Sequence, residues 1–158
     1  MASTESLGDW LRLTLTPGIG GETQRKLLRA FGLPEAIFSA AHGDLREIIG
    51  DRLATTLLGT DNAAIVQTAC DWATGDNQHI VTIADPEYPQ ALLEIADPPT
   101  LIYVRGRLDL LNRPALAMVG SRNPTPQGIQ NAERFASAFA NAGLVIASGL
   151  ALGVDAAA

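Results

Sequence analysis

One cysteine, Cys70, stands in the 158 residues, so no disulfide can form within the chain. That suits a reducing compartment, and a cytoplasmic location is expected. No apolar run is long enough to span a bilayer, and no charged segment with an apolar core opens the chain. No membrane role is expected. G-x-G-x-x-G is absent, which removes the dinucleotide fingerprint, and no Gly-Lys-Ser/Thr supplies a P-loop. Neither Ser121 nor Ser148 sits in a G-x-S-x-G elbow. His42 and His79 lack ligand-like neighbours, so neither a metal site nor a cofactor is expected. Internal repeats and low-complexity runs are also missing.

What is present is an ordinary globular composition, 47% hydrophobic and 18% charged, with a formal charge of −6. Taken alone, that charge argues against nucleic-acid binding. It is uneven, however. Between Arg105 and Arg134 five arginines face only Asp109 and Glu133, so a local basic strip is possible on an acidic protein.

The first half reads as helical. Leu7, Trp10, Leu11 and Leu15 mark one amphipathic helix, and Leu27, Leu28 and Phe31 mark a second that stops at Gly32. Short helices are expected at 34–40, 44–49 and 52–58, and a longer one at 62–74. Trp10 and Trp72 fall at core-like positions. Thr16-Pro17-Gly18-Ile19-Gly20 between the first two helices resembles a helix-hairpin-helix module, which would bind duplex DNA. A plain turn between packed helices is the favoured alternative, because so short a motif is often fortuitous. These segments make a small all-α domain over residues 1–77.

At His79 the character changes to strands alternating with helices. Residues 80–83, 101–104, 115–119 and 144–147 read as buried strands, and 91–95 as a brief helix. A domain over residues 78–158 with three or four parallel strands is expected, so the fold class is α+β overall. The chain stops inside what should be the first turn of a helix, which suggests a fragment with a half-built sheet.

The sharpest local signal is Ala115 to Gly128. An apolar strand runs directly into Gly120-Ser121-Arg122. Thr125 suits an N-cap, Pro126 suits the first helical position, and Ile129, Ala132, Ala136 and Phe139 follow at helical spacing. Such a loop favours anions, phosphate above all, through backbone N–H groups, a helix dipole and one arginine. The competing reading is a simple turn with a solvated Arg122. The pattern repeats at Ser148-Gly149, either a second anion contact or a tight turn. Asp155 reads as a helix-start carboxylate rather than a catalytic group.

Tyr88-Pro89 with Leu92, Asp97-Pro98-Pro99, Leu101-Ile102-Tyr103-Val104-Arg105-Gly106, Val119-Gly120-Ser121-Arg122, Thr125 with Gly128, and Ser148-Gly149-Leu150-Ala151 with Gly153-Val154-Asp155-Ala156-Ala157 occur in this order. Together they resemble the DprA/Smf family, DNA-processing proteins of natural transformation. The resemblance is strong over residues 86–158 and looser over the helical part, which resembles the family's SAM-like domain. It implies an incomplete Rossmann-like domain that binds single-stranded DNA and helps load the RecA recombinase, with no enzymatic activity. It places Arg122 in the DNA pocket. The candidate nucleic-acid contacts are then Gly120, Ser121, Arg122, Thr125, Gly128, Ser148 and Gly149. Many members carry arginine where this chain has Leu152. The resemblance implies a homodimer for the full-length protein, not for a chain ending at Ala158, because the dimer interface lies on later strands. An alternative of another class is a Rossmann-like hydrolase or phosphoribosyl-transfer enzyme. It would require a carboxylate pair or a glycine-rich phosphate loop, and neither is present.

Overall fold

A computed structural model describes residues 4–158. They form two compact units that part in sequence between Leu108 and Asp109.

The first unit is built around α1 (Thr4–Leu15). Its side chains enter two cores. Leu13 joins Ile19, Leu27, Ile37, Leu45, Ala54 and Leu57. Trp10 and Leu11 join Ala69 and Leu101. The first cluster draws on α2 (Gly21–Phe31), α3 (Pro34–Ser39), α4 (His42–Ile49) and α5 (Asp51–Gly59). The second draws on α6 (Ala63–Trp72). Leu11, Leu13, Leu27, Leu45 and Leu57 are wholly buried, and each such side chain contributes roughly 1.5–3 kcal/mol of transfer free energy. Gly32 ends α2 as its sequence predicts, at φ 86°, with its N–H donating to the Leu28 carbonyl. Trp72 meets Tyr103 edge to face at 5.2 Å between ring centroids.

Two strands complete this unit, β1 (Gln78–Thr82) and β2 (Leu101–Arg105). They pair antiparallel, with Gln78 opposite Arg105 and Thr82 opposite Leu101. This corrects the expectation that both belong to one parallel sheet. The intervening chain holds a 3₁₀ turn (Gln90–Glu94) and no α-helix, whereas parallel neighbours require a crossover, usually helical. The expected boundary between residues 77 and 78 falls inside this unit, because Leu101, Ile80 and Ile83 pack with Trp10 and Leu11.

The three consecutive residues after Asp97 anchor the loop to its surroundings. The Pro98 carbonyl accepts from Arg25 at 2.9 Å, the Pro99 carbonyl from the Tyr88 hydroxyl at 2.6 Å, and the Thr100 hydroxyl donates to the buried Gln24 at 2.5 Å. Burial pushes the Tyr88 phenol up, so it stays a hydrogen-bond donor. The Tyr88-Pro89 and Asp97-Pro98-Pro99 blocks thus hold one another together.

The second unit is β3 (Ala115–Ala117), α7 (Pro126–Asn141), β4 (Val145–Ala147) and α8 (Val154–Ala157). β3 and β4 are parallel, with Leu116 opposite Ile146, so both following loops lie at the same end of the sheet. α7 buries Ala132 and Ala136. The expectation of a fully buried strand over 115–119 is not met. The strand is three residues long, Ala115 and Ala117 are exposed, and Val119 is 75% exposed. A sheet of two strands gives neither of them the flanking neighbours on both sides that bury a central strand.

Because the units part after Leu108, limited proteinase K digestion should cut first between residues 107 and 114. A stable fragment containing α1 through β2 is the expected product. A first cut at 75–79 would instead support a boundary at residue 77.

Candidate nucleic-acid interface

The two loops at the sheet's carboxyl end are joined by one carboxylate. Asp155, in the first turn of α8, is 9% exposed. Its Oδ1 accepts the Gly120 N–H at 3.0 Å, and its Oδ2 accepts the Gly149 N–H at 3.2 Å. The Ser148 hydroxyl donates to the Asp155 carbonyl at 3.0 Å. A buried carboxylate requires such donors. Asp155 begins a helix as expected, but its side chain serves the two loops.

The glycines here answer to packing. A Cβ on Gly120 would lie 2.8 Å from Val154 Cβ. Gly153 sits at φ 93°, and a Cβ there would overlap the carbonyl oxygen of Ser121. The Val154 N–H donates to that same oxygen at 3.1 Å. Backbone therefore lies against backbone where the loops meet.

Thr125 caps α7 as its sequence predicts: its hydroxyl oxygen accepts the Gly128 N–H at 3.1 Å, and Pro126 follows at the first helical position. The Ser121 hydroxyl oxygen accepts the Asn123 N–H at 3.1 Å. That bond leaves the hydroxyl proton for another partner. Arg122 is exposed and makes no hydrogen bond or ion pair among the described residues.

The structure thus brings Gly120, Ser121, Arg122, Ser148 and Gly149 together and divides their roles. The Gly120 and Gly149 amides, the Ser148 hydroxyl and the Thr125–Gly128 cap are occupied within the fold. Ser121 and Arg122 face solvent. Chemically, the loop pair offers one guanidinium fork and one hydroxyl on a rigid base. Sequence reasoning missed the connecting part of Asp155. The signal was available: Asp155 is the only charged residue after Arg134.

The hairpin at 16–20 is differently furnished. Ile19 N–H donates to the Thr16 carbonyl at 3.2 Å, and Gln24 holds the Ile19 carbonyl at 2.8 Å. At the start of α2, Arg25 pairs with Asp97 at 2.5 Å and Lys26 with Glu22 at 2.8 Å. The Lys26 ammonium holds the Glu22 carboxyl below its usual range. Both nearby cations are thus neutralised, which disfavours phosphate at this hairpin. His42 bonds Thr55 at 3.1 Å on the surface. Among the described residues no group of His, Cys, Asp and Glu could hold a metal ion, and no helix is long and apolar enough to cross a membrane.

A family model described as DNA recombination-mediator protein A matches residues 79–158. The chain is 31% identical to Protein Smf of Synechocystis over 162 aligned residues, covering 99% of this chain and 40% of that protein. It is 47% identical over 77 residues to DNA processing protein DprA of Streptococcus pneumoniae, covering 49% of this chain and 27% of that protein. The X-ray structure of the Streptococcus pneumoniae DNA processing protein A superposes with a TM-score of 0.73 at 30% identity, covering 96% of this chain and 51% of that one. The chain therefore spans about half or less of these relatives.

Gly153→Ala tests the close approach of the loops. The left-handed φ and the overlap with Ser121 should together destabilise the second unit by about 1–3 kcal/mol. Urea unfolding followed by amide signals of β3 and β4 reads this directly. Unchanged stability would show that residues 121 and 153 are not in contact.

Proposed function

The chain belongs to the DNA recombination-mediator protein A (DprA/Smf) family, and on that footing we propose that it binds single-stranded DNA for a mediator that loads RecA in natural transformation. The observation that carries this reading is Arg122, unpaired and exposed at the carboxyl end of β3. Ligands of open α/β sheets bind at that end. A guanidinium without an internal partner can take a phosphate bidentately, and the Ser121 hydroxyl can add a second bond. Contacts of this kind read the backbone and not the bases, so sequence preference is small and salt dependence is marked.

The same reading assigns the protein no catalysis. It gives the full-length protein RecA and a second copy of itself as partners, and places its action in the cytoplasm. The two loops act as a binding platform, with Asp155 holding the platform and Arg122 holding the strand. The remaining five expected residues support this geometry or border it.

Arg122→Ala should weaken binding of an oligo(dT) strand by about 1.5–3 kcal/mol, the worth of a charge-assisted bond. The slope of log K against log salt should become shallower by about 0.7, the value for one single-strand phosphate contact. Arg122→Lys should recover part of the loss, since a point charge lacks the fork. Arg134, exposed on α7, is the control. Parental affinity across a salt titration for Arg122→Ala, with a loss for Arg134→Ala, would put the site on the wrong element.

A further inference from the structure

The two-stranded sheet of the first unit leaves one edge of β1 open. The Gly106 N–H donates to the Asn77 carbonyl at 2.7 Å, and the Ile83 N–H to the Thr100 carbonyl at 2.9 Å. In the register that sets Ile80 opposite Tyr103, bonded pairs alternate with unbonded ones. His79 and Val81 therefore bond across to β2, while Gln78, Ile80 and Thr82 turn their backbone groups the other way. Both ends of that outer edge are closed. The Gln78 N–H donates to the Gly75 carbonyl at 3.1 Å. The Thr82 N–H donates to the Asp85 carboxylate at 2.8 Å, and the Thr82 carbonyl accepts the Asp85 N–H at 2.9 Å. Ile80 between them is half-buried, and its N–H and carbonyl have no partner among the described residues.

A cavity of about 290 Å³ runs along β1, walled by Leu7, Cys70, Ala73 and Leu108. The Ile80 side chain packs toward Trp10 and Leu11. A residue paired with Ile80 on the open edge would present its own side chain to the same apolar face. The lining also holds the carboxylates of Asp85 and Glu87, and no lysine or arginine. These features select a ligand chemically. It must offer one donor and one acceptor at backbone spacing, an apolar side chain between them, and positive charge alongside. An extended peptide with basic flanks meets all three conditions. A nucleic acid would bring phosphate against the two carboxylates.

We propose that the outer edge of β1 is a docking strand for an extended, basic-flanked apolar segment of a partner protein. One residue of that segment exchanges both backbone hydrogen bonds with Ile80, and the closed ends at Gln78 and Thr82 fix its register. The docking strand lies in the first unit and does not depend on the single-strand reading.

The test titrates the chain with acetyl-Thr-Lys-Val-Lys-Thr-amide and follows backbone amide resonances. The Ile80 amide should shift and its signal should saturate. Methylation of the valine nitrogen removes the donor to the Ile80 carbonyl and should weaken binding about fivefold, the scale of one net hydrogen bond. Glutamate in place of both lysines should weaken it about threefold or more, as loss of charge pairing at a partly solvated rim requires. Arg122→Ala should bind the peptide as the parent does. An Ile80 amide that does not move at millimolar peptide overturns the proposal. Equal binding of the methylated peptide, or of the glutamate peptide, overturns it too. An Ile80 amide that shifts with protein concentration alone, and is then insensitive to peptide, reassigns the edge to pairing between two copies of the chain and overturns the peptide site.

Discussion

A carboxylate withdrawn from water requires hydrogen-bond donors, and Asp155 finds them on two separate loops. The second unit depends on that requirement. β3 and β4 are three residues each and share one short parallel ladder, which by itself leaves the loops beyond them undefined. One side chain fixes both, and the glycine contacts with Val154 and Ser121 close the remaining space. The Gly120 and Gly149 amides are thereby engaged within the fold, and Arg122 stays exposed and unpaired among the described residues.

The first unit is tied together in a comparable way. α2 is held to the loop before β2 by Gln24 and Arg25, through Thr100 and Pro98. Those bonds draw Asp97 to the start of α2, where it pairs with Arg25. The tie that stabilises the hairpin region thus also places a carboxylate at the helix end where a duplex phosphate would have to sit. Hydrogen bonding and charge pairing both tie this hairpin into the packing of its own unit.

Much of this was legible in the chain. The helices of the first unit, the Gly32 stop and the Thr125-Pro126 start of α7 follow from periodicity and capping chemistry, which are local. The parallel strand–helix–strand unit and the position of Arg122 at a strand's carboxyl end follow from the same local signals. Strand pairing was not legible for β1 and β2. An apolar run does not encode its neighbour or direction, and only the packing of Leu101 and Ile80 on Trp10 and Leu11 reveals where they belong. Asp155 was hidden for a similar reason. Its partners lie 35 and 6 residues away, beyond any local capping pattern. Gly120 and Gly149 suggested phosphate approach from sequence because a glycine in a loop looks the same whether a ligand or a neighbouring side chain requires it.

The most direct test of this account is amide hydrogen exchange at Gly120 and Gly149 in the parent and in Asp155→Ala. One carboxylate holding both amides predicts that both are protected in the parent, and that both lose protection together in the variant, with α7 amides unchanged. Loss at only one glycine, or at neither, would contradict the coupling of the two loops through Asp155.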